Sequence, residues 1–355
     1  MIETIKQKEE WVKQLELIGN TDFYFTYDYH QLSKNDDENP VLLKYNEGNS
    51  TILLPLLLRN IKGTSYIDAT SVYGYAGVLS NINDNSFEKS KFQEILHSYL
   101  MDNKIISVFS RLHPFLDNQE SLLSGLGEIS DQGMVVYLDL SLPIEIQRAN
   151  FNRRLKTYLN KARKVCTVSE GNHQEDLKSF IELYHENMRR VDATDSYFFD
   201  QTYFERIMAS KDYNPQLMIC RDNDSQKIIG AAIFIKKDNI VQYHLSGLDA
   251  DFYELNPIKL IIDEMRLIST AEGYQLLNLG GGRGGSNEDS LFRFKSGFSK
   301  EFKNFRLWKY IVNHDIYNKL TNEKFNQYPE VDKNQISFFP QYRATLTKKM
   351  DTLEI

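Results

Sequence analysis

Two stretches of this 355-residue chain read as the same succession of elements, and a repeated succession commits a polypeptide to two like-built halves. In the first, residues 41–45, 51–58 and 65–76 have strand character, 87–101 has helical spacing and 105–112 reads as a further strand. In the second, 216–221, 228–236 and 239–246 are the three strands, 257–271 the helix and 274–279 the last strand. The repetition is one of order, not of residue identity. Length points the same way, because a single core stops growing near about 250 to 300 residues. The 41% of hydrophobic residues, with 21 Tyr and 21 Phe, leave ample material to bury.

The second half runs into residues 277–298, LNLGGGRGGSNEDSLFRFKSGF. Leu276, Leu277 and Leu279 read as a buried strand, and glycine then lets the backbone take positive φ and approach a neighbour or a ligand closely. Ser286, with Asp289 three residues on, reads as the N-cap of a short helix that stops at Gly297. One cation, Lys295, is left beside a glycine-lined opening. Gly280, Gly282 and Gly285 satisfy G-x-G-x-x-G, but about twenty residues on, where a dinucleotide site needs an acidic strand end, there is only Glu301. A P-loop is excluded because Ser286-Asn287 follows Gly285. A tight turn without a ligand is the other use such glycines have.

Strand, GGG, a short helix with Leu-x-x-Phe-Lys-x-Gly-Phe and an aromatic strand at 305–312 resemble the end of the second domain of the Fem-type (FemAB-like) acyltransferases. These are tandem GNAT-fold enzymes that include peptidoglycan-bridge aminoacyl transferases and relatives acylating sugar-linked amines. Met188-Arg189-Arg190 ahead of Tyr197-Phe198-Phe199, and Phe338-Phe339-Pro340-Gln341-Tyr342-Arg343, are similar to the family pattern as well, so the resemblance spans most of the chain. It implies an α/β fold with mixed α+β sheets in two tandem GNAT-like domains, 1–145 and 146–320, and a C-terminal segment, 321–355, packing back on the first. The repeated strands would be the second to fifth of each domain, with the acyl donor where the fourth and fifth splay. No long coiled-coil arm interrupts the second domain, a departure from the members that carry one.

Several other classes are excluded or disfavoured. A net charge of -7 argues against broad binding to nucleic acid, so DNA is not expected as a partner. Cys166 and Cys220 are too few for a disulfide framework and lack His or Cys at metal-ligand spacing, so ordinary thiols and no metal are expected. Residues 1–17 are rich in Lys and Glu without an apolar core, and the longest apolar run, 52–58, is broken by Pro55. A cytoplasmic protein without a transmembrane segment is therefore expected.

Residues 5–18 read as an amphipathic helix with Trp11, Leu15 and Ile18 on one face, and Phe23, Tyr24, Phe25, Tyr27 and Tyr29 as core and cleft wall. Between the two copies, 175–190 is helical, and 148–165 reads as one helix carrying Arg148, Arg153, Arg154, Lys156, Lys161, Arg163 and Lys164 without one acidic neighbour. That face is either simply solvated or attracts a polyphosphate, CoA or tRNA.

Acyl transfer to an amine needs a deprotonated amine, a polarised carbonyl and attack geometry, but no protein nucleophile. None is evident: there is no Gly-x-Ser-x-Gly elbow, and neither cysteine has a sequence partner. In the second copy Gln242, His244 and Ser246 alternate along the fourth strand, which predicts one shared polar face. His244 either accepts a proton there or is a hydrogen-bonded structural group. Lys295 matches the family lysine near the acceptor's charged groups, or else a helix-end lysine favourable to the dipole. His244 and Lys295 are the two catalytic candidates. Expected to contact substrate are Tyr73, Tyr75, Arg111 and His113 in the first copy, and Arg189, Tyr197, Gln242, Ser246, Gly281, Gly282 and Arg283 in the second. Arg111 suits bidentate capture of a carboxylate or phosphate, or a salt bridge to the loop around Asp117.

The resemblance implies an N-acyltransferase that moves an acyl or aminoacyl group onto an amino group of an envelope precursor, a peptidoglycan unit or an amino sugar, by direct attack. Acyl-CoA or aminoacyl-tRNA would be the donor, and an envelope or nucleotide-sugar precursor, with charged tRNA, the partners. Where a CoA site carries glycines, residues 248–257 here hold Asp249, Asp251 and Glu254, which repel a pyrophosphate. The alternatives are an ordinary acyl-CoA N-acetyltransferase acting on a small amine, and a GNAT pair that binds a glycan or nucleotide sugar without chemistry.

Overall fold

The computed structural model describes residues 1–82, 87–172, 174–282 and 289–346. Its elements begin with β1 (Ile2–Ile5), α1 (Lys8–Ile18), α2 (Tyr27–Ser33), β2 (Glu38–Glu47), β3 (Ser50–Asn60), β4 (Ile67–Thr70), β5 (Leu79–Asn81), α3 (Lys89–Asp102), β6 (Ile105–Arg111), α4 (Gln119–Leu123) and β7 (Glu128–Asp139). The middle of the chain forms α5 (Ile144–Ala149), α6 (Arg153–Val165), β8 (Cys166–Glu170), α7 (Asp176–Arg190), α8 (Gln201–Ala209), β9 (Asn214–Asp222), β10 (Ile228–Lys237) and β11 (Ile240–Leu248). Last come α9 (Pro257–Ala271), β12 (Leu276–Gly281), α10 (Ser290–Lys295), β13 (Glu301–Ile311) and α11 (His314–Phe325).

The chain divides into two units. Unit 1 comprises residues 1–7, 33–131 and 306–355, and unit 2 residues 8–32 and 132–305. In unit 1 the strand order is β1-β2-β3-β4-β6-β13, with β4 and β6 parallel and the other pairs antiparallel. Unit 2 has the order β8-β9-β10-β11-β12-β7, with β11 and β12 parallel and the rest antiparallel. The predicted duplication is therefore visible as one pairing scheme used twice: three antiparallel strands, a helical crossover and a parallel fourth. Each sheet is then closed by a strand from elsewhere in sequence. β13, which follows β12 in the chain, pairs with β6, and β7, which follows β6, pairs with β12.

Three local expectations need correction. The helix expected over 148–165 is two helices. Asn152 takes extended backbone and its side chain accepts the Leu155 N–H at 2.7 Å, so it caps α6 afresh. The helix expected from residue 5 starts at Lys8, because residues 2–5 pair with β2. The strand expected over 65–76 ends at Thr70, and the chain then turns through Gly74 (φ 111°) and Gly77 (φ 89°), values that glycine takes without strain.

In unit 2 the core lies between the sheet and α6 with α9: Leu155, Leu159 and Ala162 from one helix, Ile258, Ile261, Ile262 and Met265 from the other, packed on Phe234, Val241, Leu277 and Leu279. α7 crosses the opposite face so closely that a Cβ on Gly247 would lie 2.4 Å from the Leu183 carbonyl carbon. Trp11, Phe23, Phe25 and Tyr29, expected as core, are fully buried. Among the described residues no helix is long and apolar enough to cross a membrane.

Candidate active site

β11 and β12 pair only through Ile240 with Leu276, Val241 with Leu277 and Gln242 with Asn278. Beyond that point β11 stays bonded to β10 as far as Leu248, and β12 to β7 as far as Gly281, so the two strands part. The edge of β11 that faces the gap keeps its backbone groups out of the β12 ladder. At the same place the β10–β11 register skips a residue, passing from Ile233 with Leu245 to Phe234 with Tyr243. His244 is thus the extra residue of a β-bulge.

The bulge overturns the predicted alternation. Gln242 and His244 share one face, where Gln242 meets Asp22 and His244 meets the Phe23 ring at 5.4 Å. Past the bulge the phase of the strand shifts, and Ser246 hydrogen-bonds the Tyr243 hydroxyl on the other face. An extra residue in a period-two strand moves everything after it to the opposite side.

The base of the gap is held by a buried chain of hydrogen bonds. Gln242 Nε2 donates to Asp22 Oδ2 at 2.5 Å, Asn278 Nδ2 donates to Gln242 Oε1 at 2.8 Å, and the Gly280 N–H donates to Asn278 Oδ1 at 2.9 Å. Asp22 Oδ1 also accepts the Phe23 N–H at 2.6 Å. Gln242, expected to touch substrate, is 1% exposed with both ends of its amide engaged, so it fixes the parting point. Asp22 and Asn278 are the members that sequence reasoning missed. The available signals were a polar residue inside the apolar run Leu276-Leu277-Asn278-Leu279 and a capping-type Asp before an aromatic cluster. Asp22→Ala should cost about 2 to 3 kcal/mol, since it strands a buried amide and a buried N–H. Denaturant unfolding checks this, and a loss below about 0.5 kcal/mol, the size of an ordinary surface change, would remove the network's assigned role.

His244 keeps partial exposure, yet burial around the ring holds its pKa down at about 3. The imidazole is therefore neutral throughout the physiological range and a weak base. Its Nε2 lies 3.2 Å from the Tyr203 hydroxyl, and Tyr203 stacks on Phe199 at 4.0 Å. Tyr29 closes the ring cluster at 6.2 Å from the imidazole. The Tyr197–Phe199 loop is tied down in turn: Tyr184 Oη donates to the Tyr197 carbonyl at 2.8 Å, and His185 Nε2 lies 2.8 Å from the Phe199 carbonyl oxygen. Tyr197 is exposed in this loop, as is Arg189 at the end of α7.

Lys295 is the other centre. It sits on α10, whose N-cap is Asp289, accepting the Phe292 N–H at 2.8 Å. The predicted cap Ser286, like Arg283 and Gly285, lies outside the described residues. Lys295 is 7% exposed and donates to the Gly281 carbonyl at 2.7 Å, clasping the end of β12. Burial lowers its pKa to about 8, partly opposed by the nearby Asp289. Gly281 has a packing reason for being glycine, because a Cβ there would lie 2.8 Å from the Met134 carbonyl oxygen. Gly282 follows, half-buried.

In unit 1, β4 and β6 pair as far as Thr70 with Phe109, and beyond a turn Ala76 bridges Leu112 in parallel. The Arg111 guanidinium carbon is 5.2 Å from the Phe109 ring centre and 5.8 Å from that of Tyr73, which is exposed. Its backbone N–H donates to Ser71 Oγ at 3.2 Å. His113 is buried, its Nδ1 accepting the Phe115 N–H at 3.2 Å and its own N–H donating to Gln119 Oε1 at 3.2 Å. Tyr75 is half-buried on the turn between the strands. The structure thus brings Tyr73 and Arg111 together and gives His113 a local structural bond. Among the described residues no group of His, Cys, Asp and Glu is placed to hold a metal ion.

Residues 211–305 match the family model described as the FemAB family, a span that holds β11, the glycine turn and Lys295. This span of the chain is similar to the FemAB family. Among solved structures, FemX superposes with a TM-score of 0.70 at 15% identity, covering 89% of this chain and 99% of that one. The C-terminal DUF2156 domain of a putative lysylphosphatidylglycerol synthetase from Agrobacterium fabrum gives 0.56 at 14% identity, covering 90% and 97%. A conserved protein of unknown function from Bacteroides thetaiotaomicron gives 0.51 at 11%, covering 87% and 100%. At such identities the likeness speaks for the fold. No curated protein sequence matches this chain.

Proposed function

We propose that this FemAB-like protein is an N-acyltransferase that moves an acyl or aminoacyl group onto an amino group of a cell-envelope precursor. The observation that carries the reading is the parting of β11 from β12 at Gln242 and Asn278, with a bulge at His244. An unpaired strand edge offers preorganised backbone N–H groups to a carbonyl whose oxygen becomes negative during attack, and such donors are worth about a hundred-fold or more in rate each. The Lys295 ammonium at the end of β12 would offset negative charge on the acceptor or in the transition state. His244, neutral and bonded to Tyr203, would orient a reacting group by hydrogen bonding, leaving the attacking amine to lose its proton to water or to another base. A peptidoglycan unit or an amino sugar is the proposed acceptor, and the reaction is placed in the cytoplasm.

Charged tRNA is the donor favoured over acyl-CoA. Pro257 at the first position of α9 removes one backbone N–H from the helix end that would receive a pyrophosphate, and Asp251 and Glu254 precede it. Incubating the purified protein with a nucleotide-linked muropeptide or an amino sugar, together with labelled aminoacyl-tRNA or acetyl-CoA, tests the proposal by product mass. A mass gain with tRNA alone supports it in full; a gain with acetyl-CoA alone moves the donor, and no gain with any pair ends it.

A further inference from the structure

The strongest feature that the proposed reaction leaves unused is the outward face of α6. Arg153, Arg154, Lys161 and Lys164 are exposed on it, and among the described residues none has an ion-pair or hydrogen-bond partner for its side chain. Lys156 is half-buried beside them and donates to the Ala149 carbonyl. From Arg153 to Lys164 the row runs about 16 Å at 1.5 Å per residue. Folding does not favour this placement. Arg153 and Arg154 occupy the first turn of α6, where the helix dipole disfavours cations, and no acidic residue accompanies them. Like charges three apart, as at Lys161 and Lys164, also repel. The acidic groups bordering the helix on α9 are already neutralised: Asp263 takes Arg148, Arg163 and Arg266, and Glu264 takes Arg163. Residues 250–255, which include Asp251 and Glu254, also pack against α6.

Exposed apolar side chains lie at the end of α6 and on α5. Val165, 40% exposed, ends α6 next to Lys164. Ile144, 39% exposed, sits one turn before Arg148, whose guanidinium donates to Asn160 on the exposed side of α6 at 2.8 Å. Ile146, two residues on and so on the other side of α5, is 50% exposed. Exposed isoleucine and valine beside unpaired Arg and Lys suit the boundary between lipid headgroups and acyl chains. A nucleic-acid surface would favour exposed aromatic neighbours for base stacking, and the exposed positions of α6 hold none. On a protein of net charge -7 the remaining surface is repelled by an anionic plane, which turns α6 toward it. We propose that α5 and α6 dock this protein reversibly on anionic phospholipid. The start of α6 touches the turn after Lys295, since the Asn152 N–H donates to the Gly297 carbonyl at 2.9 Å. Docking would therefore hold the Lys295 end of unit 2 at the lipid surface.

The test is co-sedimentation of the full chain with vesicles of phosphatidylcholine, with and without phosphatidylglycerol, across a salt series. Binding should require the anionic lipid and weaken with salt. Neutralising Arg153, Arg154, Lys161 and Lys164 together to Gln should weaken it by roughly five-fold per charge, with an unchanged thermal midpoint showing that the variant is folded. Ile144→Ser with Ile146→Ser should lower the binding that survives at high salt. Equal binding to neutral vesicles, no binding at low salt, or an unaffected charge variant would overturn the proposal. So would binding of bulk tRNA through the same four residues without vesicle binding, which would make the row a nucleic-acid surface. None of these readouts depends on the transferase assay.

Discussion

Lys295→Met should leave the protein folded and no less stable at neutral pH than the parent, while lowering turnover by at least about a hundred-fold. The stability half follows from where the charge sits. Lys295 is buried and its pKa lies at about 8, against an ordinary 10.5, because the fold desolvates the ammonium. The unfolded chain holds that proton more tightly, so between pH 8 and 10.5 it binds more protons than the native state, and stability rises with pH across that window. Below pH 8 the cost is present in full, on the order of 3 kcal/mol from a shift of this size. Methionine of similar length removes that cost and forfeits the bond to the Gly281 carbonyl, worth about 1 to 2 kcal/mol. The activity half follows from the same burial: the charge kept beside Gly281 costs more than its one hydrogen bond returns. In the parent, kcat/KM should therefore fall as pH rises through about 8, and whatever activity Lys295→Arg retains should persist to higher pH. A methionine variant with parental turnover, or one that unfolds at neutral pH, would return Lys295 to the role of a helix-end cation.

What could be read from the sequence and what could not divide along a physical line. α9 was legible to the residue because Pro257 opens it and Ile258, Ile261, Ile262 and Met265 recur at helical spacing. β9, β10 and β11 were legible because they are apolar, consecutive and antiparallel, so local pattern and final pairing agree. β7 was not. Its first half, Glu128-Ile129-Ser130-Asp131-Gln132-Gly133, has no alternation of apolar residues, and its partner is β12, far along the chain. The break between α5 and α6 was hidden because Phe151, Leu155, Tyr158 and Leu159 keep helical spacing across it, while Asn152 interrupts the backbone between the first two. His244 and Lys295 were found as residue types in suggestive places. Their states were not, since the bulge depends on the register with β10 and both shifted pKa values depend on what distant segments bury. Phe23 and Tyr29, which wall the imidazole, lie more than two hundred residues earlier in the chain.

Gly247→Ala should cost about 3 kcal/mol, the upper range for overpacking a core, although alanine ordinarily gains about 0.4 to 1 kcal/mol over glycine through the unfolded state. A Cβ on residue 247 would meet the Leu183 carbonyl carbon and the Tyr184 nitrogen at 2.4 Å each, and the Leu183 oxygen at 2.6 Å. These are backbone atoms in the middle of α7, which cannot rotate away as a side chain can. Either α7 lifts from β11 or β11 bends, and packed interiors resist both. Gly171→Ala is the matched control, since its Cβ would meet only side-chain atoms of Ile219 and Leu217, at 3.1 Å, and should change stability by less than about 1 kcal/mol. The displacement has a route to the candidate site as well. Tyr184 is tied to the Tyr197 carbonyl and stacks on Phe199, which stacks on Tyr203, whose hydroxyl meets His244. A lifted α7 should therefore loosen the loop over His244 in whatever fraction stays folded, seen as faster amide exchange at Tyr197 and Phe199 than in the Gly171→Ala protein. If the two glycine variants unfold at the same denaturant concentration, the close crossing of α7 over β11 is wrong, and with it the placement of the aromatic wall around the parted strands.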